Sequence, residues 1–250
     1  MATQYAFGKI VTDGLVLALD AADRNSYVSG SSSWIDLSGN GINGTLTGST
    51  LPTFSSSSGG SINLNGTNQR IVFPGNTFNY SPGTTGELTL ELWITPNGPF
   101  TPYGSEPPTT NLGGFIGQGY FNNTVGWGLG VTVVNSGSYN WAFQVRNTTN
   151  SVNITGSFTT GSQYHVVGSF KRNDLSRLYI NGILLASSSS VRLNGVSLTP
   201  SIADASIGSA GNAVFYSGFS INKAAIYNRA LSAEEVQQNY NAQKARFGLT

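Results

Sequence analysis

Hydrophobic residues in this chain recur in short runs with a period of two, separated by glycine, asparagine, serine and proline. Residues 87–94 show this most strictly. Leu88, Leu90, Leu92 and Ile94 fall on one side, and Glu87, Thr89, Glu91 and Trp93 on the other. That is the alternation of a strand with one face on a core. Comparable runs occupy 15–19, 70–73, 126–134, 140–146, 151–158, 164–170 and 214–227. Leu178-Tyr179-Ile180 and Ile183-Leu184-Leu185 flank Asn181-Gly182. A type I′ turn needs positive φ at both central residues, which Asn-Gly supplies, so a hairpin is predicted there. Residues 96–111 carry five prolines and read as a long loop, because proline cannot donate to a β ladder. Residues 55–60 and 187–190, rich in serine, read as turns or loop tips.

One segment departs from the period of two. Ser232 followed by Glu235 forms a capping box, and Leu231 with Val236 the matching hydrophobic staple, so a helix is predicted to start there. Val236 and Tyr240 share its apolar face. Strand patterns continue at similar density on both sides of every polar stretch, and no repeat is evident. The expectation is one all-β domain over residues 13–250, a two-sheet antiparallel β-sandwich with one short C-terminal helix, preceded by an arm at residues 1–12.

Composition narrows the partners. Charged residues make up only 9% of the chain, against about 25% in an ordinary soluble domain. The 12 basic and 11 acidic side chains are scattered, with Lys171-Arg172 the densest point. Nucleic-acid affinity needs many phosphate contacts, so no nucleic-acid partner is expected, nor electrostatic binding to a membrane. Apolar runs such as residues 15–19 are too short to span one. Cysteine is absent, which removes disulfides and thiolate metal sites. Residues 1–12 lack a basic start followed by an apolar stretch, so no signal peptide is expected. A polar, nearly uncharged protein of this kind fits synthesis in a cytoplasm and later exposure on a particle surface.

Several motifs resemble the laminin G-like group of concanavalin A-like modules. They are Gly14-Leu15-Val16-Leu17-Ala18-Leu19-Asp20, Trp34-Ile35-Asp36-Leu37-Ser38-Gly39-Asn40-Gly41, Leu64-Asn65-Gly66-Thr67-Asn68-Gln69-Arg70 and Leu88-Thr89-Leu90-Glu91-Leu92-Trp93-Ile94. Tyr164-His165-Val166-Val167 and the tail Ile226-Tyr227-Asn228-Arg229-Ala230-Leu231-Ser232 belong with them. The resemblance implies a concanavalin A-like jelly roll. The opening and the closing Tyr240-Asn241-Ala242 and Arg246-Phe247-Gly248 look most like structural proteins of tailed bacteriophages. Such a resemblance implies a virion location, with the major capsid protein, another virion protein or a second copy of this chain as partner. Fold alone licenses no activity.

Candidate chemistry is sparse. His165 is the single histidine, so any Ser-His-acid centre or histidine metal site hangs on one residue. Glu87 and Glu91 share a strand face, as the paired carboxylates of related glycosidases do. Retaining hydrolysis needs carboxyls about 5–5.5 Å apart, whereas strand positions four apart lie roughly 13 Å apart at ~3.3 Å per residue. Thr89 stands between them where those glycosidases have aspartate. No catalytic residue is assigned. Asp36, Asn40 and Asn43, with nearby glycine carbonyls, could ligate a structural calcium; Asx turns explain the same residues without a metal, and Asn65 and Gln69 replace aspartates frequent in relatives. Loop aromatics Tyr103, Tyr120, Phe121, Tyr139 and Trp141 are candidates for stacking on a cell-surface glycan, or for packing. The leading expectation is a non-enzymatic virion structural protein, a capsid decoration or short fibre, contacting its partner through residues 1–9, the proline-rich loop and the terminal helix. A glycan-binding tail module is the alternative, and a glycoside hydrolase the third reading.

Overall fold

The computed structural model describes residues 9–74, 78, 86–100, 113–118, 125–135, 138–198, 204–210 and 214–250. Within them the alternating runs form two antiparallel sheets packed face to face. The first sheet runs, in spatial order, β14 (Ile183–Ser189), β13 (Leu175–Ile180), β12 (Tyr164–Lys171), β7 (Glu87–Phe100), β17 (Val214–Tyr227), β5 (Ser61–Asn65) and β4 (Thr53–Ser55). β1 (Leu15–Asp20) and β16 (Ser209–Ala210) pair with other stretches of the long β17. The second sheet runs β11 (Ser151–Ser157), β10 (Ser138–Arg146), β9 (Gly126–Asn135), β8 (Gly113–Gln118), β15 (Ala205–Ile207), β6 (Arg70–Phe73), β3 (Gly44–Thr47) and β2 (Ser33–Trp34).

The core fills the space between them. Leu88, Leu90, Leu92 and Ile94 of β7, with Phe170 of β12 and Ile221 of β17, meet Trp127 and Leu129 of β9 and Trp141 and Phe143 of β10. The facing surfaces interlock closely enough that Gly168 on β12 has no room for a side chain. A Cβ there would lie 2.3 Å from the Phe143 ring.

The predicted hairpin is present, with Asn181 at φ 51° and Gly182 at φ 78°. Two loop expectations are corrected. Residues 96–100 continue β7 rather than opening a loop. β12 leaves β7 at Ile94, so among the described residues β7 pairs beyond it with β17 alone, and a proline without an N–H is tolerated at such an edge. Residues 101–111 of the proline-rich stretch lie outside the described residues. Ser187, Ser188 and Ser189 close β14 rather than a flexible turn, and Ser190 is buried, its hydroxyl bonded to the carbonyls of Asp174 and Lys171.

Helix α1 (Ala233–Gln243) begins at the predicted cap. Ser232 Oγ accepts from the Glu235 amide, and Glu235 Oε2 accepts from the Ser232 amide. The staple residues Leu231 and Val236 pack with Val11, Val167, Tyr179 and Tyr227 on the outer face of the first sheet. Residues 9–12 of the predicted arm are fastened down as well. Val11 N donates to Asn239 Oδ1 at 2.7 Å, and Gln238 Nε2 to the Lys9 carbonyl at 2.7 Å.

Overpacking a filled core costs about 1–3 kcal/mol, so Gly168→Ala is expected to lower stability by that amount in urea denaturation. An unchanged midpoint would mean that the two sheets are not in contact at Phe143.

Candidate functional site

The outer face of β7 is the most chemically dense surface in the molecule, and residues 229–247 lie along it. Glu87 Oε2 accepts from the Ala230 amide at 3.0 Å and pairs with Lys171 at 3.4 Å. Thr89 Oγ1 accepts from the Leu231 amide at 2.9 Å and donates to the Arg229 carbonyl at 2.8 Å. Glu91 Oε1 lies 3.0 Å from His165 Nε2, its diagonal neighbour on β12, and Oε2 accepts from Asn239 Nδ2 at 2.7 Å. Asn239 also bonds the Tyr227 hydroxyl at 3.1 Å, and that hydroxyl donates to the Val11 carbonyl at 3.1 Å. Trp93, Tyr240 and Phe247 cluster beside the pair; the Trp93 and Tyr240 ring planes lie 5° apart and their centroids 5.9 Å.

Glu91 is 4% exposed and His165 fully buried. Burial by itself would raise the Glu91 pKa. The His165 hydrogen bond and charge, the Asn239 amide and Lys223 outweigh it and hold the carboxyl below its ordinary range. Burial, and then the Glu91 charge, push the Tyr227 phenol far upward, so it stays a proton donor. A largely aliphatic cavity of about 190 Å³, lined among others by Leu15, Ala18 and Lys223, reaches Glu91 and Trp93 from the β1 side. It is smaller than the roughly 300–1,000 Å³ of ordinary ligand sites. Asp20, also in its lining, is clamped by both Nη atoms of Arg246, each at 2.6 Å.

The calcium candidates do come together, in a loop that supplies its own partners. Asp36 Oδ1 accepts from the Ala18 and Ser38 amides at 2.9 and 2.8 Å, and Oδ2 from the Ile42 amide and Ser38 hydroxyl at 3.1 and 2.7 Å. Asn43 Oδ1 accepts from the Asp36 amide at 3.0 Å. Asn40 turns its amide nitrogen, a donor, toward the Val16 carbonyl and Ser38 hydroxyl. Among the described residues no three His, Cys, Asp or Glu side chains gather as metal ligands would.

Two of the aromatic candidates, Tyr139 and Trp141, lie within the described residues. Trp141 is a correction: it lies on the inner face of β10, fully buried against Phe115 and Phe158. All four tryptophans are 1% exposed or less. Tyr139 is half-buried, its ring 4.8 Å from Phe100. Tyr103, Tyr120 and Phe121 lie outside the described residues. The apolar face of α1 is used within the chain.

What the sequence reading left unmarked is the edge strand β14. Ile183, Leu184 and Leu185 are 70%, 49% and 46% exposed. β14 ends the first sheet, and its seven residues include neither a charge nor a proline, the features that normally protect an edge. The run itself carried the signal: alternation can bury only every second residue of three consecutive apolar ones.

Removing one partner of a buried charged pair costs about 3–5 kcal/mol, so Glu91→Ala is expected to destabilise the protein by that amount in urea titrations; a loss under about 1 kcal/mol would contradict the buried tether. The depressed carboxyl gives the sign of the pH dependence. Its contribution is complete above its ordinary value of 4.5 and is lost as pH falls through the lower folded value. A melting temperature that rises between pH 5 and pH 3 would contradict it. EDTA is expected to leave the melting temperature unchanged, and Asp36→Ala to lower it by stranding four donors. Destabilisation by EDTA that calcium reverses would assign the loop to a metal.

Residues 65–237 match the family model of the concanavalin A-like lectin/glucanases superfamily. No curated protein matches the chain in sequence. Among solved structures, the binding domain of Paraclostridial Mosquitocidal Protein 1 is similar over 92% of this chain and 52% of that one, with 22% identity and a TM-score of 0.60. Trypanosoma rangeli sialidase aligns over 95% of this chain and 34% of its own, with 18% identity and a TM-score of 0.62. Domain 4 of the Geobacillus stearothermophilus arabinanase AbnA, solved with arabinotriose, aligns over 90% and 98%, with 20% identity and a TM-score of 0.61. The chain thus spans about half of the toxin binding domain and a third of the sialidase, and at these identities the likeness is one of fold. Two packed antiparallel sheets with these motifs, and a family match over most of the length, place the chain in the concanavalin A-like lectin/glucanases superfamily.

Proposed function

We propose that this protein is a non-enzymatic docking module, held on another protein of a larger assembly by the uncovered edge strand β14. The exposed apolar run Ile183, Leu184 and Leu185 carries the reading. Contiguous exposed apolar surface marks interaction sites, and an edge without charge or proline offers free main-chain donors and acceptors to a partner strand. Among the described residues no strand pairs with the outer side of β14. The resemblance to tailed-phage structural proteins supports a virion surface as the setting, with a capsid protein or a second copy as the partner. The non-enzymatic part is supported by the duties of Glu87, Glu91 and His165, whose side chains fasten the terminal segment and its neighbours.

Exposed substitutions usually change stability by under about 0.5 kcal/mol. The double variant Ile183→Lys, Leu184→Lys is therefore expected to keep its melting temperature while no longer co-sedimenting with assembled particles. Full incorporation of that variant would defeat the docking assignment. Incubation with β-glucan, alginate and agarose is expected to release no new reducing ends; sustained release would make the protein a hydrolase.

A further inference from the structure

The end of the first sheet opposite β14 is formed by β4, and among the described residues no strand joins its outer side. Thr53, Phe54 and Ser55, the whole of β4, carry no charge and no proline. A groove of about 580 Å³ opens beside them, with β4 and the turn after it on one side and residues 21–29 on the other. That volume falls within the roughly 300–1,000 Å³ of ordinary ligand sites.

Both walls are held in place. Tyr27 lines the groove with its ring centroid 6.5 Å from that of Trp34 and 5.8 Å from that of Phe54. Its amide donates to the Asp23 carbonyl at 2.8 Å and its hydroxyl to the Ser31 carbonyl at 3.2 Å. Ser26 Oγ ties the same wall to β1, accepting from the Asp20 amide at 3.1 Å. Across the groove, a Cβ on Gly60 would lie 2.6 Å from the Ala22 Cβ, so glycine lets the two walls meet. A binder therefore does not have to order them, which lowers the cost of binding.

The groove combines apolar surface with one free cation. Val28 is 62% exposed and Phe54 half-buried. Arg24 carries the single charge of the lining; it is exposed and makes no hydrogen bond or ion pair among the described residues. Close by, Arg246 and Lys223 both pair with Asp20, and Asp23 accepts from the Asn25 amide at 2.9 Å. Three cations thus stand against two carboxylates, and Arg24 is the one left over.

We propose that this groove takes an extended acidic peptide segment of a partner protein, added as a strand to β4. Such a segment supplies main-chain partners to the outer side of β4. Strand alternation sends residues two apart to the same side. An apolar side chain then seats against Phe54, Tyr27 and Val28, while a carboxylate two positions away meets the Arg24 guanidinium, whose planar fork suits it. A basic segment meets repulsion there, and a free small carboxylate forgoes the main-chain bonds. The site lies at the other end of the sheet from Ile183 and Leu184, and its failure would leave the β14 assignment intact.

The test titrates the isotope-labelled full chain with the capped heptapeptide acetyl-Ser-Val-Phe-Thr-Glu-Val-Ser-amide, followed through backbone amide NMR signals. One apolar contact and one exposed ion pair give a Kd of about 1 mM, so the peptide is taken to about 3 mM. The Ser29, Ser55 and Gly59 amides are expected to shift saturably, and those of Leu184 and Leu185 to stay in place. The same peptide with Lys for Glu binds about tenfold more weakly. Arg24→Glu reverses that preference and keeps the melting temperature, because the position is exposed. N-methylation of every peptide amide abolishes binding. The proposal is overturned if the parent peptide moves none of the groove signals or if Arg24→Glu still prefers the Glu peptide. It is equally overturned if the N-methylated peptide or benzoate binds as tightly as the parent peptide.

Discussion

The arrangement turns on one buried carboxylate. Glu91 sits on the face of β7 that alternation turns away from the sandwich core, where an antiparallel sheet ordinarily meets water. A carboxylate shielded from solvent is tolerated only with hydrogen-bond partners, and this one has two, His165 from the neighbouring strand and Asn239 from α1. Asn239 in turn holds Val11, so one polar cluster joins the central strand, the terminal helix and residues 9–12. Trp93, Tyr240 and Phe247 exclude water around it. The covered face of the first sheet is thus a second, smaller core, and the terminal segment is part of the fold.

That covering decides what is left to act. Glu87 and Glu91 bond the terminal segment, and His165 bonds Glu91. The sequence carries few charges, and among the described residues β14 presents three consecutive exposed apolar side chains. A superfamily that includes lectins and glucanases assigns no role by itself; that edge carries the functional argument.

Most of the framework was legible in the sequence because its signals are local. The alternation of residues 87–94, the Asn181-Gly182 turn and the Ser232/Glu235 box each lie within a few residues of their effect. The strands β2, β3, β4, β5, β8, β15 and β16 were missed; most hold only two to four residues, too few for alternation to register, and half of β8 is glycine. The surfaces were harder to read. Nothing near Glu91 announces that a partner 148 positions later will bury it. Trp141 was counted among the loop aromatics, yet its place in β10 points it inward.

The integral role of the terminal helix is the claim on which the rest leans, and native-state hydrogen exchange tests it directly. If α1 belongs to the second core, its amides exchange only with the same global opening that releases β7 and β12. Exchange of α1 through a separate low-energy opening, with β7 and β12 still protected, would make the helix a lid over Glu91, His165 and Trp93, and would contradict the account.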